Sequence, residues 1–201
     1  MRNRWSVGLT LACVSALMCL PALAEVTRCD ELAAHPEDPD RVSPGRATRD
    51  IDLAEARRAC EQDLAAAPRN ARLRYQLSRV LFYAGEHAEA MTQMRQAADA
   101  GHPQAQFVYG VFVVRQRPHA PADVCLAEHY WRLSALAGRQ AAPINYVLEH
   151  LRGRFDACEV KPERAELMRW LDVAHARAPD GYAGYYERLL IEDLRLRLAA
   201  A

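Results

Sequence analysis

The side chains best suited to chemistry in this sequence are its cysteines. Six occur in 201 residues: Cys13 and Cys19 sit in an uncharged N-terminal run, whereas Cys29, Cys60, Cys125 and Cys158 are spread through the remainder. An even set of widely spaced cysteines points to disulfides, and four of them allow three pairings. Zinc is the competing chemistry, because Cys125 and His129 are four apart on one helix face and His119 and Cys158 could add ligands. No Cys-x-x-Cys and no paired-histidine motif accompanies them, so disulfides are the stronger expectation. The lack of Cys-x-x-Cys-His removes haem attachment as well. No metal or other cofactor is therefore expected.

Other reactive groups are sparse. Beyond residue 24 the only serines are Ser43, Ser78 and Ser134, and none lies in Gly-x-Ser-x-Gly. Lys161 is the sole lysine and follows Cys158, not a serine, by three positions, so Ser-x-x-Lys is absent. Glu86, Glu89, Glu149 and Glu166 stand among arginines at helical spacing, the pattern of solvated charge pairs. The 9 glycines form no phosphate-cradling loop. These absences argue against catalysis. The 26 basic residues are matched by 26 acidic ones, which leaves no global positive field for nucleic acid.

The N-terminus reads as an address. Arg2 and Arg4 precede an uncharged run from Trp5 to Ala24, broken by Pro21 and ending in Ala22-Leu23-Ala24, the small-residue pattern of a secretory signal. The expectation is a signal peptide over 1–24, cleaved after Ala24, with no stable membrane insertion afterwards. Its removal leaves four cysteines and a net charge of −2. A periplasmic or secreted protein in an oxidising compartment is implied.

What must position the four cysteines is helical. Nothing after Glu25 alternates apolar and polar residues over a strand length, and isoleucine occurs only three times. Leu73, Leu77, Val80 and Leu81 share a helix face; so do Phe107, Val111 and Val114, and Leu126, Tyr130, Leu133 and Ala137. Ala90-Met-Thr-Gln-Met-Arg-Gln-Ala-Ala-Asp-Ala-Gly101 aligns without a gap on Ala127-Glu-His-Tyr-Trp-Arg-Leu-Ser-Ala-Leu-Ala-Gly138. Ala54, Ala90, Ala127 and Ala165 recur at nearly constant spacing, as expected where repeated hairpins cross. The pattern predicts an extended leader over 25–48 and a helical repeat domain over 49–201, with helices near 49–66, 70–84, 86–100, 103–116, 122–137, 140–152, 162–177 and 181–198.

Gly101-His-Pro-Gln-Ala105-Gln106-Phe107-Val-Tyr109-Gly110 resembles the turn and first helix of a Sel1-like repeat, a subclass of the tetratricopeptide-type solenoids. Asp123 to Gly138, with Ala127, Tyr130, Trp131 and Ala135, is similar to its second helix. The match is good over 71–138. The family's Gly-x-Gly connection within a hairpin is replaced by Arg115-Gln-Arg-Pro-His-Ala-Pro121. Cys29-Asp30-Glu-Leu32-Ala33 and the residues after it resemble a segment that precedes such repeats in exported bacterial proteins.

The resemblance implies an all-α fold: a right-handed α/α solenoid of about four helical hairpins with a C-terminal capping helix. In that cap Leu189, Leu190, Leu194 and Leu198 would cover the open end, with Tyr182, Tyr185 and Tyr186 packed on the preceding hairpin. Because units of a solenoid touch only their neighbours, the pairing Cys29–Cys60 and Cys125–Cys158 is favoured over the other two. The resemblance also implies a non-catalytic adaptor for a protein or peptide partner, bound on the concave wall of first helices. Arg72, Gln76, Arg79, Gln106, Tyr109, Asn145 and Glu149 are the polar positions expected to be exposed there. The alternative is a cell-wall enzyme or a β-lactam- or peptidoglycan-binding protein.

Overall fold

The computed structural model describes residues 25–200. The expected signal segment, with Cys13 and Cys19 and its cleavage after Ala24, lies outside the described residues.

The helices are α1 (Arg28–Ala33), α2 (Leu53–Ala66), α3 (Ala71–Tyr83), α4 (His87–Asp99), α5 (Pro103–Val114), α6 (Val124–Leu136), α7 (Ala141–Leu151), α8 (Arg164–Arg177) and α9 (Gly181–Ala200). A 3-10 turn covers Thr48–Asp50, and no strand occurs among the described residues. Local chemistry sets the starts. Asp52, Asn70 and Asp123 cap α2, α3 and α6 by accepting from the amides of Glu55, Leu73 and Cys125. His102 caps α5 through Nδ1, with Pro103 at the first helical position.

The ends of α3 to α7 follow one pattern. In α4 and α6 the chain turns through Gly101 and Gly138, at φ +88° and +92°, and the next amide bonds back to the carbonyl five residues earlier. Helix α5 ends with the same bond, from the Arg117 amide to Phe112, but its left-handed residue is Gln116, at φ +48°.

Helices stack in chain order, each packing mainly on the one before and the one after. α3/α4, α5/α6 and α7/α8 are hairpins; α1 and α2 close one end, and α9 lies against α7 and α8 at the other. One apolar cluster joins α1, α2 and α3 through Leu32, Leu64, Leu73 and Leu81. A larger one runs from Tyr75 and Met94 through Tyr109, Trp131, Tyr146 and Phe155 to Leu171, Ile191 and Leu194. Each such large side chain contributes about 1.5–3 kcal/mol when fully buried. Within the α5/α6 hairpin, Gly110 allows Trp131 to lie against the α5 backbone, where a Cβ would overlap the indole. The indole Nε1 then donates to the Phe107 carbonyl at 2.9 Å.

Both disulfides follow the neighbour rule. Cys29–Cys60 ties α1 to α2 across 31 positions, and Cys125–Cys158 ties the start of α6 to the segment before α8 across 33. With Cys125 and Cys158 bonded to each other, neither offers a thiolate to zinc.

Several details differ from the sequence expectation. The leader is not simply extended: Thr27 and Asp30 form a reciprocal cap that starts α1. The buried faces of α5 and α6 are rotated by about one residue from the expected stripes, to Ala105, Tyr109, Phe112 and Val113 and to Ala127, Tyr130, Trp131 and Ser134. Ala54 and Ala165 are exposed. The buried fourth residues of α2, α4, α6 and α8 are Ala56, Ala90, Ala127 and Leu167, because α2 and α8 begin two residues later in register. In α9, Ile191, Leu194 and Leu198 face the stack, whereas Leu189, Leu190 and the three tyrosines are exposed, Tyr182 by 78%.

Candidate functional site

The wall formed by the first helices, α3, α5 and α7, is where a protein or peptide partner was expected, and part of it is already covered by the chain itself. Residues 25–46 of the same chain lie across α3 and reach the turns at the start of α5 and α7. Asp30, fully buried, is the main anchor. Arg72 grips both its oxygens, from Nε at 2.8 Å and Nη2 at 3.0 Å, and Gln76 Nε2 donates to Oδ1 at 2.8 Å. Burial pushes the Asp30 carboxyl upward, but Arg72, the Thr27 amide and Gln76 together outweigh it and hold its pKa below the usual carboxylate value.

One turn further along α3, Arg79 binds leader backbone. Its Nη1 donates to the carbonyls of Ala33 and Ala34 at 3.0 and 2.9 Å, and Nη2 to that of Arg46 at 2.7 Å. The leader closes on itself between these points: Arg46 N donates to Ala34 O, and Ser43 Oγ to Asp30 O. Asp38, also fully buried, places Oδ2 3.3 Å from His102 Nε2. His102 stacks on Tyr75 with ring centroids 5.1 Å apart. Arg139, in the α6–α7 turn, donates to Glu37 at 2.6 Å and to Gln104, and its guanidinium lies over the Phe107 ring. Next to Asp38, His35 is held neutral to about pH 4 by burial first and the Arg79 charge second.

The seven expected wall residues therefore divide. Arg72, Gln76 and Arg79 contact the leader; Gln76 and Arg79 are buried beneath it, contrary to the expected exposure. Gln106 and Tyr109 are buried in helix packing, Gln106 donating to Ala98 O and Tyr109 meeting Tyr130 edge-on. Glu149 is buried at the end of α7 and accepts from Arg152 and Arg154 at 2.7 and 2.5 Å. Their polar chemistry read as surface; here it satisfies buried donors and acceptors. Asn145 lines an open groove.

That groove, of about 600 Å³, lies between α7 and α9, beyond the point where the leader turns away. Ile144 and Asn145 of α7 face Tyr186 and Leu190 of α9 across it, with Arg177 and Glu37 at its borders. Asn145 Nδ2 is turned back on the Ala141 carbonyl at 2.8 Å, which leaves its oxygen free to accept. The Tyr182 and Tyr186 hydroxyls share a hydrogen bond of 2.9 Å at the outer edge. Asn145 was among the expected wall positions; Tyr186 and Leu190 were expected to pack in the cap, and their spacing of four along α9, which places them on one side, is the signal that puts both on the groove. No groove residue pairs a nucleophile with a base.

No known family profile matches the chain, and no curated protein matches it. Among solved structures, the crystal structure of a Sel1 repeat protein from Oxalobacter formigenes is similar, with a TM-score of 0.52 and 21% sequence identity, covering 66% of this chain and 97% of that one. The similarity is one of architecture: in fold, this chain is a Sel1-like α/α solenoid.

Proposed function

We propose that the protein is an exported, non-catalytic interaction module that receives a protein or peptide partner in the groove between α7 and α9. The observation that carries this reading is the leader itself. Three side chains of α3 and one from the α6–α7 turn bind the leader, helix α1 and the irregular chain after it, by its carbonyls and carboxylates, and the wall continues past that segment as an open groove. A mixed apolar and polar groove of this size takes a short stretch of chain with one or two anchoring side chains. Two disulfides support an oxidising compartment.

Photo-crosslinking residues placed at Asn145 and Tyr186, with Arg58 on the exposed side of α2 as control, test the site. Discrete protein adducts are expected from the first two positions and not from the third. The same pattern from all three positions sinks the reading. Intact-mass measurement with and without reductant tests export: a chain beginning at Glu25 that gains four hydrogens on reduction is expected. Chromogenic β-lactam is expected to remain unhydrolysed at high protein concentration, and turnover would overturn the non-catalytic reading.

A further inference from the structure

A second cavity, of about 270 Å³, lies between α3, α5 and the leader, away from the α7/α9 groove. Phe82, Met94, Val111 and Phe112 form its apolar wall, the two phenylalanine rings stacked at 4.5 Å. The charged residues that line it are all arginines: Arg79, Arg115 and Arg117. Arg115 and Arg117 are exposed and form no ion pair among the described residues. Arg79 is only 4% exposed, and its Nε is buried without a hydrogen-bond partner although its other nitrogens are occupied. Arg79 therefore contributes its fixed positive charge beneath the cavity, while Arg115 and Arg117 are the donors free to turn toward a ligand.

The backbone of the rim is also unusual. Where α4 and α6 close with glycine, α5 closes with Gln116 in the left-handed region, and His119 at φ +64° repeats the strain three residues later. This is the segment that replaces the family's glycine-containing connection, and Arg115 and Arg117 flank its strained residue. Strain held by side-chain-bearing residues beside a cavity is the kind found at ligand sites. His35 of the leader also lines the cavity. Its Nδ1 accepts from the Glu37 amide at 3.1 Å, which leaves the proton of the neutral ring on Nε2, a donor.

We propose that this cavity binds a small carboxylic acid with an aromatic or branched aliphatic body, the body against Phe82 and Phe112 and the carboxylate at the rim between Arg115 and Arg117, with the buried Arg79 charge adding to the positive field. An apolar body without the charge would leave the arginines unmatched, and a hydrophilic anion would leave the phenylalanine wall exposed to water.

Titration calorimetry of the purified oxidised protein with 3-phenylpropionate and with 3-phenylpropionamide is the direct test. The acid is expected to bind and the amide to bind about tenfold more weakly or not at all. Arg115→Glu with Arg117→Glu changes only exposed side chains; it is expected to cost the acid a similar factor without changing the melting temperature. Val111→Trp, which fills the cavity and keeps all three charges, is expected to abolish binding. N-acetyl-phenylalanine distinguishes the sources: stronger binding than phenylpropionate indicates a carboxylate at a chain end, and weaker binding a free acid. Equal binding of acid and amide, retention of acid binding in the double variant, or no binding of the acid up to about 10 mM overturns the proposal.

Discussion

The two halves of the first-helix wall are built alike and end up in opposite states. Over α3, the side chains Arg72, Gln76 and Arg79 are spent on the chain's own leader, and two of the three are buried. Over α7, Asn145 and its neighbours border an open groove faced by the exposed Tyr186 and Leu190 of α9. The contrast shows that polar residues on such a wall have no fixed role: the same positions serve as interior or as surface according to whether a strand of chain covers them.

Breaking the covered half has the largest expected effect. Asp30→Ala leaves Arg72 and Gln76 facing no carboxylate, and loss of one member of a buried pair costs about 3–5 kcal/mol, to be read as a lowered urea midpoint. Replacing Cys29 and Cys60 together by serine removes a loop constraint of about 3–4 kcal/mol in the chain-entropy account, with faster proteolysis within 34–46 as the local signature. Acid acts on the same half. Docked His35 resists protonation to about pH 4 while the free side chain takes a proton near 6.5, so docking is fully favoured above about 6.5 and weakens as pH falls toward 4. Asp30, with its lowered pKa, adds a loss of the same sign at lower pH. Hydrogen exchange of the leader amides as a function of pH measures this, and protection that rises on acidification contradicts the sign.

Smaller changes sharpen the contrast. Gln116→Gly relieves the left-handed strain at the end of α5 but loosens the unfolded chain, for a net gain of about 0.5 kcal/mol by thermal melting. Tyr186→Ala in the open half is expected to change stability by less than about 0.5 kcal/mol while reducing partner crosslinking. A Tyr186 variant as damaging as Asp30→Ala would mean that the groove is core, not surface.

Much of the architecture was legible in the residue pattern. The expected helices 70–84, 86–100 and 103–116 differ from α3, α4 and α5 by no more than two residues at either end, because caps and turn residues mark those boundaries locally. The pairing of Cys29 with Cys60 and of Cys125 with Cys158 follows from neighbour contact in a stack. Helix α1 was missed because six residues make a marginal helix alone; the Thr27-x-x-Asp30 cap was its only local sign, and docking on α2 and α3 supplies the rest. Gln76 and Arg79 were misread for a related reason. Their burial depends on a segment some 45 positions away in sequence, which no periodicity within α3 reports. The tyrosines of α9 show the converse error, since aromatic rings beside a buried stripe read as core when nothing covers them.

The clasp between Glu37 and Arg139 spans 102 positions, in a molecule whose other pairings are mostly between adjacent helices. A chain made from its N-terminus therefore presents the leader before the repeats and secures its far end late. Cys29 can find Cys60 as soon as α2 has formed, but residues 34–46 must wait for the α6–α7 turn before their last contact exists. Assembly of this solenoid is in that sense circular: the leader is the segment that certifies that five further helices, α2 to α6, have been laid down in order.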